Sequence, residues 1–158
     1  MQDLLEEIGV LGLASRLKRL SDALMQDGVR VYQTAGAGFE PRWFPVFLFL
    51  YHRGPTAITE IARGVGVSHP AVNKVANELI AARLVAPYRD RKDKRKRVLA
   101  LTSAGRDKAG ALEPVWSRIE TVLQEIVDEA GGNFPGALQG FERSLQRCGL
   151  HDRFAGQR

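Results

Sequence analysis

The chain has a single cysteine, Cys148, so no internal disulfide can staple it, and a reducing compartment suits it. Its histidines, His52, His69 and His151, are too scattered to form a recognisable metal motif. The longest apolar run, Val46-Phe47-Leu48-Phe49-Leu50-Tyr51, is far too short to span a bilayer. The N-terminus starts Met1-Gln2-Asp3 and soon reaches Glu6-Glu7, so it lacks the basic n-region of a signal peptide. A cytoplasmic protein with no membrane partner is the expectation. There is no internal repeat and no low-complexity tract. A Gly-rich phosphate loop is also missing, because Gly64-Val65-Gly66 closes a helical pattern without a strand before it. Cys148, His151 and Asp152 are the only hint of a catalytic grouping, and they sit near the C-terminus without an evident oxyanion site. The expectation is therefore no enzyme and no cofactor. Cys148 falls on an apolar helical seam and reads as a small buried hydrophobe.

Charge is present, and it is concentrated. Residues 88–97 read Tyr-Arg-Asp-Arg-Lys-Asp-Lys-Arg-Lys-Arg, with seven basic and two acidic side chains. The rest of the chain balances 16 basic against 16 acidic residues, so this decapeptide carries the whole net charge of +5. Charge runs are commonly just solvated surface. This one lies mid-chain between two apolar runs, Leu84–Tyr88 and Val98–Leu101, that read as strands. A neutral globule with one basic projection is suited to meet a polyanion with that projection.

Helical periodicity fills most of the remainder. Leu13, Leu17, Leu20, Leu24 and Val31 form a seam that predicts a helix from near Asp3 to near Gln33. Pro41 opens a second helix, apolar almost all round from Phe44 to Tyr51, which Gly54-Pro55 stops. Thr56 or Thr59 begins a short helix with Ile58, Ile61, Ala62 and Val65 on one face. Gly66 follows where a helix end needs a left-handed residue, Val67 plugs the turn, and Ser68 caps the next helix. That helix turns Val72, Val75, Ala76 and Leu79 inward. Thr102 caps a long helix with an apolar face from Leu112 to Val127, ended by Gly131-Gly132. Phe134, Leu138, Phe141, Leu145 and Cys148 then step as on a helix seeking a partner. The expected fold is mainly α with a small β-hairpin. Two short helices joined by a tight turn and followed by a hairpin make a winged helix-turn-helix, here with long N- and C-terminal helices.

At this point the chain resembles the MarR family, the multiple-antibiotic-resistance regulators. The likeness runs from Ile58-Thr59-Glu60-Ile61-Ala62 through Gly66-Val67-Ser68 and on to Leu84-Val85. It continues in Asp90-Arg91-Lys92-Asp93-Lys94-Arg95 and closes in Leu101-Thr102-Ser103-Ala104-Gly105. The basic wing with Asp-x-Arg followed by Leu-Thr-x-x-Gly is its most specific part. The resemblance implies a single domain over residues 1–158, with a DNA-binding lobe about 55–102 and dimerisation helices about 3–33 and 103–150. It implies a homodimeric, sequence-specific regulator of transcription, a ligand-responsive repressor bound to an inverted-repeat operator in double-stranded DNA. The alternative is a DNA-targeting or regulatory module working with a separate acetyltransferase, since one branch of the family is sometimes fused to such a domain.

The residues fit that chemistry. Helix 68–82 should enter the major groove with Ser68, His69, Pro70, Asn73, Lys74 and Asn77 outward. Asn73 can pair with adenine, Lys74 can reach guanine or phosphate, and Pro70 can offer only apolar contact. The alternative is an ordinary solvated helix face. On wing 88–98, the resemblance places Asp93 and Arg95 on the Asp-x-Arg motif, with the arginine in the minor groove and the aspartate holding it. A guanidinium suits the negative potential of a narrow minor groove. Arg91, Lys92, Lys94 and Arg97 are read as phosphate contacts or field, with Arg97 the competitor for the innermost place. For a small aromatic effector, the candidate lining is Tyr32, Phe39, Trp43, Phe44, Phe47, Tyr51, His52 and Trp116. The alternative is that these rings simply fill the core.

Overall fold

The computed structural model describes residues 3–88 and 97–156. Among them are eight α-helices: α1 (Leu4–Glu7), α2 (Leu13–Thr34), α3 (Phe44–Arg53), α4 (Ile58–Val65), α5 (His69–Ala81), α6 (Ser103–Glu129), α7 (Phe134–Arg147) and α8 (Leu150–Ala155). Three strands, β1 (Thr56–Ala57), β2 (Val85–Tyr88) and β3 (Val98–Leu101), form an antiparallel sheet in the order β1-β3-β2. The chain divides into a unit up to Glu113 and a unit from Pro114 onward. The division falls at the one proline inside α6, which leaves the carbonyl a turn earlier without its helical donor.

The first unit has a compact core. Phe47, Ile61, Val72, Ala76, Leu79, Leu99 and Ala109 are wholly buried. They come from α3, α4, α5, β3 and the start of α6, so the core lies beneath the helix-turn-helix and fixes its two helices. The hairpin is seated by register. Val85 pairs with Leu101 and Tyr88 with Val98. Pro87 is tolerated because β2 is an edge strand, where a missing N–H costs no ladder bond.

The Leu-Thr-x-x-Gly stretch has a local explanation. The Thr102 hydroxyl accepts from the Gly105 N–H at 2.9 Å, capping α6, and donates to the Arg83 carbonyl at 2.7 Å. The Thr102 N–H donates to the Leu84 carbonyl at 3.0 Å. Gly105 packs so closely on that same Leu84 carbonyl that any side chain there would overlap backbone.

The structure departs from the sequence reading in four places. The expected two-stranded hairpin is a three-stranded sheet, because Thr56 and Ala57 pair with Leu99 and Val98. The short helix accordingly begins at Ile58, while the Thr56 hydroxyl donates to the Gly54 carbonyl. The first helix is not continuous: α1 and a 3₁₀ turn over Gly9–Gly12 precede α2, and Gly9 takes a left-handed φ of 58°. Val67 does not plug the turn; it is 44% exposed, and the turn is closed by the Gly66 and Val67 N–H groups donating to the Ala62 carbonyl. Cys148 is half-buried, at the C-terminal cap of α7.

Candidate nucleic-acid interface

The helix-turn-helix is built from α4, the Gly66-Val67-Ser68 turn and α5. Gly66 has φ 76°, which a residue with a side chain adopts only at a cost. Ser68 is extended, and its hydroxyl accepts from the Ala71 N–H at 3.4 Å. Pro70 sits in the first turn, where its missing N–H is of no consequence. Val72, Ala76 and Leu79 are buried and Val75 half-buried, so the opposite side of α5 is free. Ser68, His69, Pro70, Lys74 and Asn77 are exposed and Asn73 half-buried, as an outward row demands.

Three of these side chains align at successive turns. His69, Asn73 and Asn77 are four residues apart and share one face. The Asn73 amide nitrogen lies 2.9 Å from His69 Nδ1 and donates to the His69 carbonyl at 3.2 Å. Arg97, at the root of the wing, reaches across to the same row. Its Nη1 donates to Asn73 Oδ1 and its Nη2 to Asn77 Oδ1, each at 2.8 Å. The Arg97 carbonyl accepts from the Ile58 N–H at 3.1 Å, which fixes the backbone from which this side chain extends. Wing residues Arg91, Lys92, Asp93, Lys94 and Arg95 lie outside the described residues.

Part of the aromatic set converges, on a ring at its centre. Phe39 meets Tyr32 at 5.2 Å, Trp43 at 5.6 Å and Phe47 at 5.2 Å between centroids, all edge-to-face. Such pairs each contribute about 0.5–1.5 kcal/mol beyond burial. Phe44 is half-buried. Tyr51 is apart from the cluster, 5.3 Å from the exposed His52, and its hydroxyl donates to Glu113 at 2.9 Å. That bond to a carboxylate raises the tyrosine pKa above its ordinary value. Trp116 lies in the unit from Pro114 onward.

Sequence reading missed Glu78. One of its carboxylate oxygens accepts from Arg42 Nε at 2.8 Å and from the Trp43 indole N–H at 2.6 Å. This ties the third turn of α5 to the aromatic cluster. The partners are 36 and 35 residues away, so no local pattern marks them. The Arg42 bond, then the Trp43 bond, hold the Glu78 pKa below the ordinary glutamate value. A depressed carboxylate stabilises the fold above its unfolded pKa, and that contribution is lost as pH falls through the folded value. The difference in melting temperature between wild type and Glu78→Gln should thus be constant from neutral pH down to about 4 and shrink below it. A difference that persists undiminished into stronger acid would contradict this.

Among the described residues no helix is long and apolar enough to cross a membrane, and no group of three or more His, Cys, Asp or Glu could hold a metal ion. Residues 37–96 match the model of the MarR family. A search of curated proteins finds no match for the chain. Among solved structures, the transcriptional repressor CouR bound to a 23-mer DNA duplex is 27% identical, with 92% of this chain and 99% of that chain covered and a TM-score of 0.69. NMB1585, a MarR family regulator from Neisseria meningitidis, is 15% identical over 99% of this chain and 100% of that chain, with a TM-score of 0.61. NadR in complex with 4-hydroxyphenylacetate is 18% identical over 86% of this chain and 93% of that chain, with a TM-score of 0.61. The family model falls on the segment that builds the helix-turn-helix, and the winged-helix fold of these solved structures extends over nearly all the rest, so the chain is similar to the MarR family of winged-helix transcription regulators.

Proposed function

We propose that the protein is a homodimeric repressor that binds double-stranded DNA in a sequence-specific way. The observation that carries this reading is the outward polar row of α5 in a chain whose whole net charge falls within residues 88–97, in the sequence that joins β2 to β3. In this reading α5 enters the major groove through Ser68, His69, Pro70, Asn73, Lys74 and Asn77. Arg95 enters the minor groove with Asp93 beside it, while Arg91, Lys92 and Lys94 meet phosphate. The DNA-binding lobe spans about 55–102 and the flanking helices dimerise.

Exposed apolar surface supports the dimer. Among the described residues from Pro114 onward, none is buried in the single chain. Val122, Leu123, Ile126, Phe134, Phe141 and Leu145 are each at least 41% exposed. A symmetric partner is the usual cover for such a surface, and two lobes are what an operator with two half-sites requires. A small aromatic effector is part of the proposal. The Phe39-centred cluster and its link through Trp43 to Glu78 would carry its effect to α5, and NadR offers a precedent in its aromatic acid.

Competition between duplex DNA and RNA of the same sequence tests the substrate class. The expected outcome is displacement by duplex DNA alone, whereas equal displacement by RNA would contradict the reading. Within DNA, Arg95→Ala should weaken binding to the preferred duplex by about 1–3 kcal/mol, and Lys92→Ala should weaken all duplexes evenly with a flatter salt slope. Unchanged affinity for Arg95→Ala would remove Arg95 from the minor groove.

A further inference from the structure

A guanidinium carries hydrogen-bond donors and no acceptor. The amide atoms of Asn73 and Asn77 that face Arg97 at 2.8 Å are therefore oxygens, whatever else surrounds them. This fixes the opposite end of each amide. The Asn73 nitrogen turns toward His69, and the Asn77 nitrogen has no partner among the described residues. Arg97 is well placed to impose this, because its backbone is bonded to Ile58 and the next residue, Val98, is paired with both Ala57 and Tyr88.

The orientation matters for base reading. An asparagine with both ends available pairs bidentately with adenine, accepting from N6 and donating to N7. An asparagine whose oxygen is already engaged offers its NH₂ group, and the edge richest in acceptors is that of guanine, with N7 and O6. We propose that Arg97 is a specificity-determining positioning residue: by holding both amide oxygens, it leaves Asn73 closed on His69, presents Asn77 to DNA as a donor and turns the recognition helix from adenine toward guanine. The inference rests on the DNA-reading role proposed above for α5.

The test compares sequences selected from a random duplex pool by the full chain and by its Arg97→Met and Asn77→Ala variants. Methionine keeps an apolar stem of similar reach and removes every donor. Wild type should select guanine at the base step beneath Asn77. Arg97→Met should shift the guanine-over-adenine preference there by about 5–150-fold, the range of one good bidentate pair, with an unchanged salt slope. Asn77→Ala should lose preference at the position that Arg97→Met alters. Two results would overturn the inference alone: the same selected sequence for Arg97→Met, or an even loss on all duplexes with a salt slope lower by about one, the mark of a phosphate contact. If wild type selected no sequence, the reading of α5 would fall, and the role of Arg97 with it. Matching thermal unfolding of the variants and wild type establishes that all three are folded.

Discussion

Glutamates in place of Phe141 and Leu145 are expected to lower affinity for a two-half-site duplex by about 10²–10⁴-fold, the loss that follows when the second lobe no longer binds as part of one molecule. These side chains are 41% and 42% exposed on α7, in a unit where no described residue is buried. Covering an aliphatic or aromatic side chain of this size contributes roughly 1.5–3 kcal/mol, and a carboxylate forced into the same place is strongly opposed. The core of the other unit, around Phe47, Ile61 and Leu99, involves neither residue, so the DNA-binding lobe should stay folded. Sedimentation of the variant should give a monomer where wild type gives a dimer, and affinity for a single half-site should be little changed. A variant that stayed dimeric with unaltered operator affinity would place the dimer interface elsewhere.

Gly105→Ala is expected to destabilise the first unit by about 3 kcal/mol or more, the upper range for an overpacked core. The added methyl would overlap the Leu84 carbonyl oxygen, which belongs to backbone and already receives the Thr102 N–H. Neither partner can move alone, because Thr102 caps α6 while Leu84 leads into β2. The melting temperature should fall by roughly 6–12 °C. Gly110 lies in the same helix with nothing within 4 Å of the position its Cβ would take. Gly110→Ala should therefore stabilise, by about 0.5–1 kcal/mol. Equal effects of the two substitutions would show that helix propensity, and not the close approach to Leu84, governs Gly105.

Much of this architecture was legible where one residue type solves a local backbone problem. The left-handed Gly66, the Ser68 cap, Gly54 at the end of α3 and Gly131-Gly132 after α6 all mark element ends as expected. Strands β2 and β3 were readable from apolar runs on either side of the charge. What escaped is either short or non-local. Strand β1 has two residues, too few to show alternation, and exists only because β3 offers a free edge. The break at Gly9 was hidden by a seam whose first marker is Leu13. At the interface, composition and helical phase identified the outward row of α5 but not its wiring. Arg97 was readable as one more cation of the wing, since nothing in sequence says that it reaches Asn73 and Asn77. The aromatic residues were legible as a group, but their convergence on Phe39 and the Glu78 link depend on packing between distant segments.

In the proposed function the basic run and α5 together make one reading head, and an operator with two half-sites needs two of them on one duplex. Selection from a random duplex pool by the wild-type protein tests that most directly. The predicted result is an inverted repeat whose half-site centres are about 34–36 Å apart, one turn of DNA. Enrichment of a single unrepeated motif, or no enrichment at all, would contradict it.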